Sequence, residues 1–586
     1  MSNKTKTVIA ILVAGVVLAV IFGVILAYSL YKAGPAVVAD SVLEYKLEGE
    51  IADAPSPMPQ AQVVFLRLPQ SLFTITRGIR RAKNDSRIKA LLLTVNSPEI
   101  GYAKVEELRE AIKDFRSSGK PVYVYMDRGS DRDYYLATAA DKIYLSPAGD
   151  LDVKGFLVSA TFLRGLFDKL KITPNVERHG KYKSFADTYT RSDMSQENRE
   201  QLSALLDDLY ARYTQAIAEA RKIEPEQVKR LIDSGPYSNA AKATAAGLID
   251  GGVYLDELKE RIRSELSLRE YKAVSGKDYS ESYSWMAKKV AVIYATGAIV
   301  PGRSGSNPLT GQVMGSQTIA SAIKTAREDN DVSAVILRID SPGGSALASD
   351  LIWREVVLTK QKKPIVASMS DVAASGGYYI AMAASKIVAQ PSTITGSIGV
   401  VSGKLDLSGL YREHLGINVE TIKRGENADY YSEQQSFTEE QRAKFRQDVL
   451  DMYEMFVKKA AEGRSKTLEE IDKVAQGRVW SGVRAKELGL VDELGGLDKA
   501  LEIARQLASI PAGQALTIVE YPQPPTVFDL MFGKEDQLEE MEIKGLSAMI
   551  QSLPAEVRET LRLAYLMRYF DEEQAFAIMP YTIRVR

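Results

Sequence analysis

The chain of 586 residues contains no cysteine. That excludes disulfides, Cys-ligated metal sites and thiol nucleophiles together. It is compatible with an oxidising compartment and does not establish one. Histidine is nearly as scarce. Only His179 and His414 are present, which argues against a multi-histidine metal centre and leaves few imidazoles to serve as a base. An excess of one charge sign is also missing. The 75 Lys and Arg almost cancel the 76 Asp and Glu, so there is no basic field for nucleic acid.

What is present is a globular composition, 45% hydrophobic and 26% charged, in a chain too long for one ordinary core. Two or more domains are expected. The N-terminal "MSNKTKT" is followed by an uncharged apolar run over residues 8–31. As a helix this run spans a bilayer core of about 30 Å. It is longer than the h-region of a cleaved signal peptide, about 7–15 residues. Lys4 and Lys6 precede it, and Lys32 alone follows closely before the acidic "EYKLEGEIAD". The positive-inside rule then puts residues 1–7 in the cytoplasm and the bulk of the chain outside.

The chain also repeats itself at a spacing of about 244 residues. "ALLLTVNSP" (90–98) matches "AVILRIDSP" (334–342), "KPVYVYM" (120–126) matches "KPIVASM" (363–369), and "YYLATAADKIYLSP" (134–147) matches "YYIAMAASKIVAQP" (378–391). Self-similarity at this length indicates a duplicated domain rather than a short-period solenoid. In each copy a β-branched apolar run reads as a strand covered on both faces. A Ser-Pro turn, a helix ("AKVEELREAIKDF" or "ALASDLIWREVVLTK") and a second apolar strand follow. That βαβ order predicts an α/β fold with a mostly parallel sheet in each copy. The boundaries read from the sequence are residues 40–266 for the first copy, a linker at 267–288 containing the polar "VSGKDYSESYS", 289–510 for the second copy, and a C-terminal extension at 511–586. Within that extension, residues 554–570 carry an amphipathic pattern suited to packing on a domain, a subunit or a membrane surface.

The copies differ where chemistry could lie. Aligned on the paired tyrosines, Ser375-Gly376-Gly377 faces Asp131-Arg132-Asp133; aligned on Gly180 and Gly425, Lys183 faces Ala428. One copy kept a serine and the other a lysine. A single site built from both copies explains this more economically than independent drift.

These stretches resemble signal peptide peptidase A, also called protease IV. The segments that carry the resemblance are "DSPGGS" (340–345), "ASGGYY" (374–379), "PSTITGSIGV" (391–400) and "GKYKSFADTYTRSDMS" (180–195). It covers nearly the whole chain and is weakest from about residue 511. It implies tandem Clp protease/crotonase-like domains behind one N-terminal transmembrane helix in the inner membrane of a bacterium. It further implies a Ser/Lys endopeptidase that degrades signal peptides and other short or unfolded peptides. A bowl-shaped homotetramer, and no metal or cofactor, are implied as well. Ser375 takes the nucleophile's position, Lys183 the general base's, and Ser397 that of a serine holding the lysine.

Such chemistry makes physical demands. A lysine accepts a proton only when neutral, and the free side chain titrates near ~10.4. Desolvation lowers that value, whereas a nearby carboxylate would raise it. Lys183 Nζ is therefore expected in a mostly apolar pocket, with Asp187 and Asp193 turned away. Oxyanion donors are expected from backbone amides: Gly376, at the start of a helix, and Gly343 and Gly344 after the strand "AVILRID". His179, four residues before Lys183, offers a rival Ser-His reading, and Lys181 is a rival amine. His414 is expected at the surface. Two other functions stand beside the peptidase: an acyl-CoA-type hydrolase on a crotonase-like fold, and an inactive membrane scaffold.

Overall fold

The apolar runs at residues 90–95 and 334–339 become the central strands of two parallel sheets in the computed structural model, which describes residues 37–54, 71–279, 287–307, 311–521 and 576–578. The run at 8–31 and the amphipathic stretch at 554–570 lie outside the described residues. Among the described residues no helix is long and apolar enough to cross a membrane.

In spatial order the first sheet runs Gly251–Gly252, Lys142–Leu145, Val122–Met126, Ile88–Glu99, Ser41–Glu50, Lys272–Ser275, with every pairing parallel. The second runs Glu493–Leu494, Lys386–Ala389, Ile365–Ala374, Val332–Ser341, Lys288–Thr296, Leu516–Tyr521, again all parallel. Each strand in one sheet has a counterpart at the same place in the other. The strands Ile394–Gly396 and Val479–Ser481 extend the second sheet from the end of Ile365–Ala374. The central strands are buried on both faces, with helices such as Tyr102–Arg116 and Ala346–Lys360 packed over them. The duplication persists at single atoms. Tyr134 Oη donates to the Leu248 carbonyl at 2.6 Å, and its counterpart Tyr378 donates to the Leu490 carbonyl at 3.0 Å. These tyrosines are buried core residues with satisfied hydroxyls.

Two boundaries differ from the sequence reading. The outer strand Lys272–Ser275 lies inside the stretch read as a linker. Its counterpart Leu516–Tyr521 lies inside the stretch read as an extension. Both are short strands on a sheet edge, and pairing with Ser41–Glu44 or Lys288–Ile293 supplies what their own patterns do not. The segment Phe576–Ile578 also belongs to the fold, antiparallel to Gly343–Ser345 and bridged to Val401.

The copies are not independent bodies either. Strand Thr173–His179 of the first copy leaves its own sheet and pairs antiparallel with Val400–Asp406 of the second. Gln201, on the long helix Gln196–Arg221, accepts from the Val479 amide at 3.2 Å. A buried charge cluster spans the same boundary. Arg338 Nη2 lies 2.7 Å from Asp53 and 2.6 Å from Glu107, and Lys104 Nζ lies 2.7 Å from Asp340 and 3.5 Å from Asp371. Asp371 also accepts from the Gly101 and Lys104 amides, capping the start of Tyr102–Arg116 from the other copy.

Candidate active site

Ser375 follows the strand Ile365–Ala374 and stands before the helix Gly376–Ala381 with φ 56° and ψ −113°. A positive φ is costly for a residue with a Cβ and persists only where surrounding contacts impose it. Here the Ser375 amide donates to the Gly396 carbonyl and its carbonyl accepts from the Tyr379 amide, both at 2.8 Å. The helix also sits tightly on the neighbouring strand: a Cβ at Gly377 would lie 2.7 Å from the Ser341 carbonyl oxygen. In the first copy the counterpart Asp131 is an ordinary first helical residue capped by Ser130. The serine is thus raised out of its helix in the copy that keeps it.

Lys183 arrives from the other copy. The exchanged strand Thr173–His179 carries the chain across, and a turn at Gly180 (φ 106°) brings Lys183 inward. The Tyr182 amide then donates to the Gln476 carbonyl at 2.8 Å. Gly477, at φ 74°, presses so closely that a Cβ there would lie 2.6 Å from the Lys183 amide nitrogen. Arg178 holds the loop from the other side, donating to the Lys183 carbonyl at 3.2 Å and to Asp187 at 2.7 Å. Asp187 also accepts from Ser195 at 2.6 Å, and Asp193 pairs with Arg191 at the surface. Both carboxylates next to the lysine in sequence are therefore engaged elsewhere.

The result is a fully buried trio. Lys183 Nζ lies 2.6 Å from Ser375 Oγ, 3.1 Å from Ser397 Oγ and 3.0 Å from the Ser397 carbonyl oxygen. Ser397 is itself fixed, its amide donating to the Arg478 carbonyl at 2.7 Å. Among the described residues no carboxylate forms an ion pair with Lys183. Burial alone pushes the Lys183 amine well below the usual lysine range. A neutral amine has two N–H donors and one lone pair. The three contacts match that inventory, with the N–H groups donating to the two Ser397 oxygens and the lone pair facing the Ser375 hydroxyl.

The other candidates lie elsewhere. The His179 ring packs 4.3 Å from the Tyr453 ring, with no hydrogen bond to Ser375 among the described residues. Lys181 is exposed, its Nζ 5.1 Å over the Tyr182 ring, and His414 is exposed in the turn Leu410–Leu415. Gly376 opens its helix, so its amide has no intrahelical acceptor. Gly343 and Gly344 sit in the short strand beside Phe576–Ile578. The Gly343 amide is already engaged with Ser341 Oγ at 3.2 Å, which weakens its place among the oxyanion donors. Arg178, Asp187, Gln476 and Gly477 form the cradle of Lys183 and were not legible in the sequence. The repeat offers one trace of it, the match of Gly477 to Gly235.

An α/β frame that holds a strained serine against a desolvated lysine is an arrangement of the serine hydrolase class. Comparison with known proteins gives the family: the model of Peptidase family S49 matches residues 114–269 and 358–511, once in each copy. The chain belongs to peptidase family S49 and is a serine peptidase. It is 39% identical to "Serine protease SPPA, chloroplastic" of Arabidopsis thaliana, over 83% of this chain and 72% of that protein. It is 35% identical to "Protease 4" of Salmonella typhi, over 79% and 75%. The "Protease 4" of Haemophilus influenzae is 31% identical, over 82% and 81%.

Proposed function

We propose that this peptidase works through a Ser375/Lys183 dyad, held to the membrane by residues 8–31, and degrades cleaved signal peptides and other short or unfolded peptides outside the cytoplasm. The observation that carries the reading is the 2.6 Å contact between a serine hydroxyl and a buried amine that pairs with no carboxylate among the described residues. Ser375 Oγ attacks the scissile carbonyl while Lys183 Nζ takes the hydroxyl proton. The amides of Gly376 and Gly344 receive the oxyanion, and Gly343 shapes the strand beside it. Lys183 returns the proton to the leaving amine, which departs as the C–N bond breaks. A water, deprotonated by the same lysine, then cleaves the acyl ester and restores Ser375. Copies of the chain assemble as a homotetramer with the sites inside, which would exclude folded proteins.

The test is a pH profile of labelling by a serine-reactive phosphonate, with the adduct located by mass spectrometry. Labelling should fall on Ser375 and reach half its maximum far below ~10.4, the value for free lysine. Labelling that begins only near that value, or an adduct on another residue, would remove the dyad.

Ser397→Ala tests the lysine's support. It deletes one of two acceptors and leaves the Ser397 carbonyl in place. The loss of one hydrogen bond, roughly 1 kcal/mol, predicts a kcat lower by about fivefold. An acceptor favours the ammonium form, so the midpoint of the pH profile should also move down. An unchanged midpoint would leave Ser397 a packing residue.

A further inference from the structure

One buried glutamine joins the loop of Lys183 to the backbone that holds Ser375 and Ser397. Lys183 is itself the centre of a one-residue turn. Its φ of −75° and ψ of 69° are those of an inverse γ-turn, and the Ser184 amide donates to the Tyr182 carbonyl across it at 2.8 Å. A single hydrogen bond contributes little by itself, yet the direction of the Lys183 side chain depends on this turn.

Gln201 braces the turn on both sides of the lysine. It stands in the second turn of the helix Gln196–Arg221 and is fully buried. Its Nε2 donates to Ser184 Oγ at 2.8 Å and to the Tyr182 carbonyl at 3.1 Å, with Asn198 Oδ1 at 3.3 Å. A primary amide has two N–H donors, and the two shorter contacts account for both. The start of the helix is fastened to the same loop: Ser195 Oγ accepts from the Asn198 amide at 3.3 Å and donates to Asp187 at 2.6 Å. The other end of the Gln201 side chain faces the second copy, where Oε1 accepts from the Val479 amide at 3.2 Å. Val479 stands opposite Gly396, whose carbonyl receives the Ser375 amide. The preceding residue, Arg478, gives its carbonyl to the Ser397 amide. The charged groups around the loop are paired with one another, Arg178 with Asp187 and Arg478 with Glu200, and Glu200 also accepts from Tyr182 Oη at 3.0 Å. Gln201 is a neutral link among them. The duplication points the same way. Aligned on Ser195/Thr438 and Tyr210/Tyr453, Gln201 corresponds to the exposed Lys444. The copy with Ala428 in place of the lysine therefore lacks the glutamine as well.

We propose that Gln201 is a positioning residue for Lys183: it locks the turn that carries the base and ties that turn to the backbone beside Ser375 and Ser397. The inference rests on the dyad reading above. Gln201 takes no proton in the reaction. It keeps the amine close to Ser375 Oγ and keeps the enclosure shut. Misplacing a reacting group by about 1 Å can cost about 10²-fold in rate, and water admitted to a buried amine returns it toward its ordinary titration range.

The test uses the full-length chain purified in detergent and Gln201→Met, which keeps the length of the side chain and loses its hydrogen bonds. Peptide turnover should show kcat lower by about 10–100-fold, with KM within about twofold of wild type. The pH profile of phosphonate labelling at Ser375 should move its midpoint up, toward the ~10.4 of free lysine. The midpoint is the deciding readout, because a packing role lowers the melting temperature without moving it. Ser184→Ala removes one acceptor and only the volume of a hydroxyl, and should move the midpoint the same way by less; it carries the test if Gln201→Met does not fold. An unchanged midpoint in the folded variants, or a raised KM with kcat unchanged, overturns the role of Gln201 and leaves the dyad standing. Wild-type labelling away from Ser375 overturns both.

Discussion

Replacing Lys183 with methionine is expected to lower kcat for peptide hydrolysis by about 10²–10⁴-fold, and at neutral pH to raise the melting temperature. The catalytic loss follows from removing the group proposed to take the Ser375 proton. Ser375→Ala should cost at least as much. The double variant should lose little more than the worse single variant, because nucleophile and base act as one unit. The gain in stability follows from burial. Lys183 is wholly enclosed and its amine lies well below the usual lysine range. Between that lowered value and the ~10.4 of the unfolded chain, the unfolded state holds the extra proton, so stability rises with pH through this window. The cost is fully present below the folded-state value and gone above ~10.4. Methionine is of similar length and carries no charge, so its advantage should be greatest near neutral pH and vanish in strong alkali. Thermal melts at several pH values, beside peptide turnover, check both halves. A variant that melts lower at pH 7, or keeps activity within tenfold, would contradict the arrangement described.

Arg338→Met is expected to cost about 3–5 kcal/mol of stability near neutral pH, because it leaves buried carboxylates without their partner. Arg338 is 1% exposed and touches Asp53 and Glu107 of the first copy and Ser368 and Ser370 of the second. Burial by itself would favour the neutral acid at Asp53, but Arg338 and Lys104 hold it at about 2. Burial, with Asp53 nearby, pushes Glu107 up to about 7. Asp53 therefore contributes stability above its unfolded value of ~3.9, and the contribution is lost as pH falls toward 2. The deficit of Arg338→Met should shrink over the same range. Denaturant melts from pH 2 to 7 measure it; a deficit below 1 kcal/mol at pH 7 would show that the cluster does not hold the copies together. Asp371 links this cluster to the strand that leads into Ser375, so the variant should also lose activity before it unfolds.

Much of this protein could be read along the chain. The β-branched runs and their spacing determined two parallel sheets, because burial on both faces demands such runs wherever they fall. The matching motifs determined the duplication. The unequal retention of Ser375 and Lys183 pointed to a site divided between the copies. Local pattern could not determine which edge strands complete each sheet. Lys272–Ser275 and Leu516–Tyr521 are short and only partly buried, and they become strands through the partner they meet. Nor could it show that Thr173–His179 crosses to the other copy, although that crossing brings Lys183 within 2.6 Å of Ser375. The amine is depleted of water only because loops distant in sequence, at residues 397 and 476–478, close over it. The residue types were written in the sequence; the desolvation that makes a lysine usable as a base belongs to the enclosure, and enclosure is a property of the tertiary structure.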